Sequence, residues 1–414
     1  MSLTRSHRVL VLPIGMLLLT AVSGAHGTGA ADAVEVLAPT GPYAVGRLTL
    51  RWVDEAREES ITPQPTDHRR VVVHVWYPAA ADRARLSEYV PDLAALRRVI
   101  RGPEAGAWNR VQPHVIDNAP VTASKERFPV VLFSPGNQML SALYSYLLEE
   151  IASHGYIVIG IDHPFDVRAV LVESDSVVSF ADRAWPKLEM PTGPVPDPES
   201  PYARFYKDRV AVRVADARFV AAQLAKPGAL GALSGHVDAS RLAIVGHSIG
   251  GVAAGEACRA DRIFVACVNL DGATGEGPFY LDGDVQHFDG AFVMLTKPFR
   301  PSDERLASWK LSREEWARRR RENDRRYFEV PAGESYRIVI DGATHEAFSD
   351  DPIVIAALRV GTATGERQLA ATVRRLTLAV VDATLGNGSI ERLSQIQREQ
   401  PGIAIERWNG RESR

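Results

Sequence analysis

The chain has 414 residues, with 48 Lys and Arg against 51 Asp and Glu, for a formal net charge of -3. With 45% apolar and 24% charged residues, the composition excludes disordered, collagenous and coiled-coil classes. The near-neutral balance gives no electrostatic reason to expect nucleic-acid binding, and two cysteines make neither a disulfide scaffold nor a zinc site.

Residues 1–27 read as an export signal. Arg5, His7 and Arg8 form a basic start, 9–19 is an apolar run, and Ser23-Gly24-Ala25 offers small residues for cleavage. The run is shorter than the roughly 20 residues that span a bilayer. The mature protein is therefore expected to be secreted or periplasmic, where disulfides persist. Beyond the signal, 47–53 and 71–77 read as strands, and 130–134 as a short buried strand ended by Pro135-Gly136. Segment 141–153 has helical spacing, with Leu143, Leu147, Leu148 and Ile151 near one face. A strand at 156–161, a hairpin over 169–180 and a proline-rich irregular loop at 186–201 follow. Segment 202–226 reads as a long helix stopped by Pro227-Gly228. Then come a strand at 242–245, a helix at 249–259, strands at 263–270 and 291–296, and a charged helix over 302–327. A strand at 336–340 and a helix at 368–385 complete the pattern, and the polar tail 386–414 is expected to be peripheral. Alternating apolar strands and helices predict an α/β class with a largely parallel sheet covered on both faces.

Gly246-His247-Ser248-Ile249-Gly250 matches G-x-S-x-G between an apolar strand and a helix. There the small residues let the backbone turn sharply and expose the serine hydroxyl above the sheet. A serine hydroxyl needs a base. In this architecture the chain order is Ser, then Asp or Glu, then His. His345 follows a late strand and is preferred to His287, which precedes one. Asp271, at the end of the strand after the serine's own, is favoured over Asp341 as the acid. The oxyanion donors are expected to be backbone N–H groups, one from Ile249 and one from the loop 133–138. Pro135 has no N–H, so Asn137 is the expected donor, with Gln138 next. Residues spread from 136 to 345 must converge, so 28–385 is expected to be one domain, with insertions near 165–201 and 300–328.

Phe133-Ser134-Pro135-Gly136, the serine elbow with Gly251, Leu270-Asp271 and Thr344-His345-Glu346-Ala347-Phe348-Ser349-Asp350 together resemble the plasma-type platelet-activating factor acetylhydrolases. Pro39-Thr40-Gly41-Pro42-Tyr43 and Val75-Trp76-Tyr77-Pro78 are similar to the bacterial relatives of that family. The resemblance implies an α/β-hydrolase fold with inserted cap loops and Ser248, Asp271 and His345 as the triad. It also implies calcium-independent cleavage of short or oxidised acyl esters of lipids, with no cofactor or metal. The family often has His before the oxyanion glycine, where this chain has Pro135. Broad carboxylesterases and polyester hydrolases use similar elbows, and a catalytically inactive binding protein on this fold is a third possibility.

Leu306, Trp309, Arg313 and Trp316 are expected on one face of the charged helix, either packed on the core or meeting a lipid surface. Asp282-Gly283-Asp284 with Asp289 lacks the spacing of a calcium loop and reads as a solvated turn. His163 reads as a structural turn residue. Cys258 and Cys267 are expected as two buried free thiols, although export permits a bond. Nothing points to an oligomer, and a monomer acting on a small-molecule or lipid ester is the expectation.

Overall fold

The structure is a computed structural model. It describes residues 33–80, 87–124, 127–183, 200–273, 288, 290–328, 333–386 and 388–409. The expected export signal, most of the proline-rich loop, His287 and the Asp282–Asp289 turn lie outside the described residues. Ala33–Arg414 forms one compact unit.

In chain order, β1 (Val34–Glu35) precedes the long antiparallel pair β2 (Ala44–Glu58) and β3 (His68–Ala79). Short helices α1 (Leu93–Leu96) and α2 (Pro103–Trp108) lead to β4 (Val111–Gln112) and β5 (Val115–Asp117). Next come β6 (Phe128–Ser134), α3 (Ser145–Ser153) and β7 (Ile157–Asp162), then the hairpin β8 (Ala169–Leu171) and β9 (Val177–Ser179). Helix α4 (Pro201–Leu224), β10 (Val237–His247), α5 (Ile249–Ala260), β11 (Ala266–Leu270) and β12 (Ala291–Thr296) follow. The chain ends with α6 (Asp303–Ser308), α7 (Arg313–Phe328), β13 (Glu334–Ile340), α8 (Asp351–Val360), α9 (Thr364–Leu385), α10 (Glu391–Glu399) and β14 (Ile403–Asn409).

Ten strands form one sheet in the order β14-β13-β12-β11-β10-β6-β7-β3-β2-β5, and it is parallel from β7 to β13. Alternation of side chains divides each central strand between two cores. Val131, Phe133, Ala243 and Val245 face α3 and α9, whose Leu147, Ile151, Val373 and Leu376 close one core. Val130, Leu132, Leu242 and Ile244 face α4 and α5, packing with Val210, Val214, Val252 and Ala254. Both faces are thus covered, which is why these strands are apolar without interruption.

Three expectations need correction. The charged helix is two helices. Lys310 has a φ of 56° and the N–H of Leu311 returns to the Leu306 carbonyl, ending α6. Ser312 then accepts from the N–H of Glu315 at 3.0 Å, the cap that starts α7. Trp309 falls in the break, so it shares no continuous stripe with Trp316, whose ring lies 6.0 Å from that of Phe299, tilted by 52°. Leu306 is buried, and Trp309 and Trp316 are half-buried. The cysteines are bonded: Cys258 ends its helix beside the strand bearing Cys267, with Cα atoms 6.4 Å apart. The bond ties α5 to β11 behind the serine turn.

The tail is not peripheral in packing. Leu393 and Ile396 of α10 are buried, and β14 pairs antiparallel along the whole of β13. Trp408 stacks on Phe328 at 4.4 Å, with the Arg337 guanidinium over both rings. Truncation after Gly386 uncovers the β13 edge and these side chains, each buried aliphatic being worth about 1.5–3 kcal/mol. We expect a loss of at least about 3 kcal/mol in urea unfolding; unchanged stability would contradict this role of the tail.

Candidate active site

Ser248 lies between β10 and α5 with φ 55° and ψ -125°, a conformation that L residues adopt only under constraint. Its N–H donates to the Leu270 carbonyl at 2.9 Å, and its carbonyl accepts from Gly251 and Val252 at 2.9 and 3.1 Å. The turn brings backbones into contact. A Cβ on Gly250 would collide with the carbonyls of Ser134 and Pro135, and one on Gly246 with the carbonyl of Gly250. Only glycine fits at either place.

Asp271 follows β11 directly, also with a positive φ of 51°, and its N–H donates to the Leu295 carbonyl at 2.7 Å. His345 opens a short helical turn five residues after β13. The loop bearing it is anchored by the buried Asp350, whose carboxylate accepts from the Tyr89 hydroxyl, the Ser145 hydroxyl and the N–H groups of Ser145 and Tyr146. Those amides begin α3, where negative charge is favoured. All three expected residues meet above the carboxyl ends of the parallel strands. Ser248 Oγ is 2.9 Å from His345 Nε2, and His345 Nδ1 is 2.6 Å from Asp271 Oδ2. Asp341, the rival acid, is exposed. In this arrangement the imidazole can take the hydroxyl proton while the carboxylate holds the tautomer protonated at Nδ1.

Asp271 has two further partners that the sequence did not single out. Its Oδ1 accepts from the Thr296 hydroxyl at 2.6 Å and the Lys297 N–H at 3.2 Å. The Lys297 ammonium donates to Oδ2 at 2.6 Å. Burial alone would raise this carboxyl, but the His345 hydrogen bond and the Lys297 charge outweigh it and hold the pKa down at about 2.

The loop after β6 carries Asn137. Ser134 is in register with Gly246, so this loop starts beside the serine turn. Ile249, the other expected donor, is the first residue of α5, where helical amides lack internal partners. Two buried hydrogen-bond systems fix the loop. In the first, the Gly136 N–H donates to the Tyr144 oxygen at 2.9 Å, and Tyr144 meets His247 Nδ1 at 2.8 Å. His247 Nε2 meets the His345 carbonyl at 2.9 Å. That carbonyl only accepts, so the proton of His247 sits on Nε2 and Nδ1 accepts from Tyr144. Burial, then repulsion from His345, push the pKa of His247 down to about 3, and the ring stays neutral. A continuous chain of hydrogen bonds therefore joins the loop after β6 to the backbone of His345.

The second system is charged. Arg213 donates to the carbonyl of Pro135 at 2.6 Å and of Gly136 at 3.3 Å, and to Ser134 Oγ at 3.1 Å. Arg209 donates to Asn137 Oδ1 at 2.6 Å, and Asp166 bridges the two arginines. Ser134 Oγ also lies 3.0 Å from His163 Nε2, whose Nδ1 is 2.9 Å from Asp216 Oδ2; Arg69 pairs with Asp216 in turn. This is a second Ser–His–Asp line, but Ser134 and His163 are 1% and 0% exposed, so it is structural. Burial alone would raise Asp166 and Asp216, yet Arg213 and Arg209 in one case and Arg69 in the other hold both far below the ordinary carboxylate range. His163, read as a turn residue, is thus a strut beneath the oxyanion loop. A sequence signal existed: Arg209, Arg213 and Asp216 run along α4 with the spacing of a buried face, beside Val210, Val214 and Ala217. Replacing Arg213 with Met takes the side-chain donor from the Pro135 carbonyl and one of the two bridged cations from the buried Asp166, and we expect a stability loss of about 3 kcal/mol by denaturant unfolding. Near-wild-type stability would show that the network contributes nothing.

Comparison with known proteins fits this geometry. Residues 28–174, which include the oxyanion segment, match the family model described as platelet-activating factor acetylhydrolase, isoform II. A protein of Arthroderma benhamiae named probable 1-alkyl-2-acetylglycerophosphocholine esterase is 26% identical over 250 residues, covering 56% of this chain. The chain spans 58% of that relative's length. Among solved structures, a ferulic acid esterase from Streptomyces cinnamoneus superposes with a TM-score of 0.67 at 23% identity, covering 91% of this chain and 99% of its own. The chain has an α/β-hydrolase fold, and part of it is similar to the platelet-activating factor acetylhydrolases.

Proposed function

We propose that the chain is an exported serine carboxylesterase that hydrolyses short-chain or oxidised acyl esters of lipids. The observation that carries this is the hydrogen-bonded line from Ser248 through His345 to Asp271, standing on a strained strand-to-helix turn. His345 takes the proton as Ser248 attacks the ester carbonyl. Charge developing on the carbonyl oxygen is met by the N–H groups of Ile249 and Asn137, each worth roughly 3 kcal/mol. Collapse releases the alcohol, protonated by His345, and leaves an acyl-enzyme. His345 then activates water, which releases the acid and frees Ser248. The basic and apolar start of the chain and the Cys258–Cys267 bond support export.

The name of the Arthroderma relative supports a glycerophospholipid ester with a short acyl group. The ferulic acid esterase neighbour, matching nearly its whole length, favours a second reading, a broader carboxylesterase. Aryl esters of increasing acyl length, assayed beside an acetylated ether phospholipid, separate the two. Steep preference for acetyl esters with turnover of the phospholipid supports the first; a flat acyl profile without phospholipid turnover supports the second.

Ser248→Ala should lower kcat at least about 10³-fold with an unchanged melting temperature. Turnover near that of the wild type would mean that another residue is the nucleophile. A histidine general base must be neutral to take the proton, so kcat/KM should fall on acidification. A flat profile from pH 5 to 9, with chemistry rate-limiting, would contradict a histidine base.

A further inference from the structure

Lys297 has no place in the mechanism so far, yet its ammonium touches the triad. It donates to Asp271 Oδ2 at 2.6 Å, the same oxygen that His345 Nδ1 meets at 2.6 Å. The cation therefore lies within two hydrogen-bond lengths of the imidazole. Its side chain is 33% exposed, so water screens it only in part. The arrangement has an electrostatic consequence. A triad carboxylate stabilises the imidazolium that forms as the base accepts a proton. Here that carboxylate is shared with a permanent cation, which disfavours a second positive charge beside it. Among the described residues, the other titratable groups near the ring are few. His247, at the end of β10, lies 4.7 Å away between ring centroids and is kept neutral by burial. Glu346, next in the chain, is exposed. Lys297 is thus the one described cation in the group.

We propose that Lys297 is a positioning residue that acts through Asp271: it fixes the carboxylate against His345 and offsets part of its charge, so that His345 stays an unprotonated base at lower pH than an unopposed Asp–His pair would allow. The cation makes protonation of the ring harder. Its removal should make protonation easier and move the acidic limb of activity upward. The gain is activity under mildly acidic conditions, at the expense of a weaker base.

This inference rests on His345 being the general base. The test is the pH dependence of kcat/KM from pH 5 to 9 on a soluble acetyl aryl ester, for the wild type, Lys297→Met and Lys297→Arg. The midpoint of the acidic limb should rise by about half to one pH unit in Lys297→Met, a three- to tenfold change in the protonation equilibrium. Lys297→Arg, which keeps the charge, should stay within about 0.2 unit of the wild type. A merely structural role would lower activity at every pH and leave the midpoint in place. An unmoved or lowered midpoint in the Met variant overturns the proposal, as does an Arg variant that shifts as far as Met. If Lys297→Met does not fold or turn over, Lys297→Gln is titrated instead, following the His345 ring by NMR in the Ser248→Ala background. The ring pKa should then rise on loss of the lysine, and no rise overturns the proposal. Ser248→Ala separates the two levels: residual wild-type turnover there would sink the triad itself, whereas an inactive Ser248→Ala with an unmoved limb would sink only the role of Lys297.

Discussion

The contact on which the rest of the site depends is the one between the start of α5 and the end of β6. Gly250 lies so close to the carbonyls of Ser134 and Pro135 that no side chain fits between them. That approach lets β10 turn into α5 within one residue, and it forces Ser248 into a left-handed backbone conformation with its hydroxyl raised above the sheet. It also brings the first amide of α5 beside the loop carrying Asn137. Strain at one residue of about 1–3 kcal/mol is sustained because the end of β10, residues 243–246, pairs without interruption with β6 on one side and β11 on the other. Ser248 and Asp271 are each tied by their own N–H to the neighbouring strand, at 2.9 and 2.7 Å.

Around this contact the molecule uses two kinds of polar interior. The neutral chain from Gly136 through Tyr144 and His247 to the His345 carbonyl has one proton for each acceptor, so it defines a single arrangement. The charged cluster of Arg69, Asp166, Arg209, Arg213 and Asp216 is nearly sealed from water. Its anions and cations alternate, which keeps each desolvated group paired. Its effect is to hold the backbone carbonyls of Pro135 and Gly136, so the Asn137 N–H, which shares a trans peptide with the Gly136 carbonyl, is turned the opposite way. A loop containing a proline and a glycine would otherwise be soft, and an oxyanion site works only when its donors are already in position.

Much of this was legible in the chain. Gly246, Ser248 and Gly250 announce the turn because the geometry admits few residue types, and His345 and Asp271 stand where apolar strands end. The strands themselves were plain, since burial on both faces leaves continuous apolar runs. What escaped was long-range pairing. Arg209 and Arg213 share a face with Val210 and Val214, but their partner Asp166 lies more than forty residues away and only the fold brings it against them. Lys297 sits before a proline at a strand end and gains meaning only beside Asp271. The bond between Cys258 and Cys267 depends on how α5 descends along β11. The break in the charged helix rests on a cap only four residues long, from Ser312 to Glu315, within a run of helix-forming residues.

Among the described residues, two serines have a histidine and an aspartate in line behind them, and their surroundings differ. Ser248 is half-buried with its hydroxyl against His345; Ser134 is sealed at the start of the loop after β6. Reaction with a fluorophosphonate, followed by peptide mapping of the adduct, tests that division directly. The account predicts one adduct per chain, on Ser248 alone. An adduct on Ser134, or a folded protein that takes no label, would contradict it.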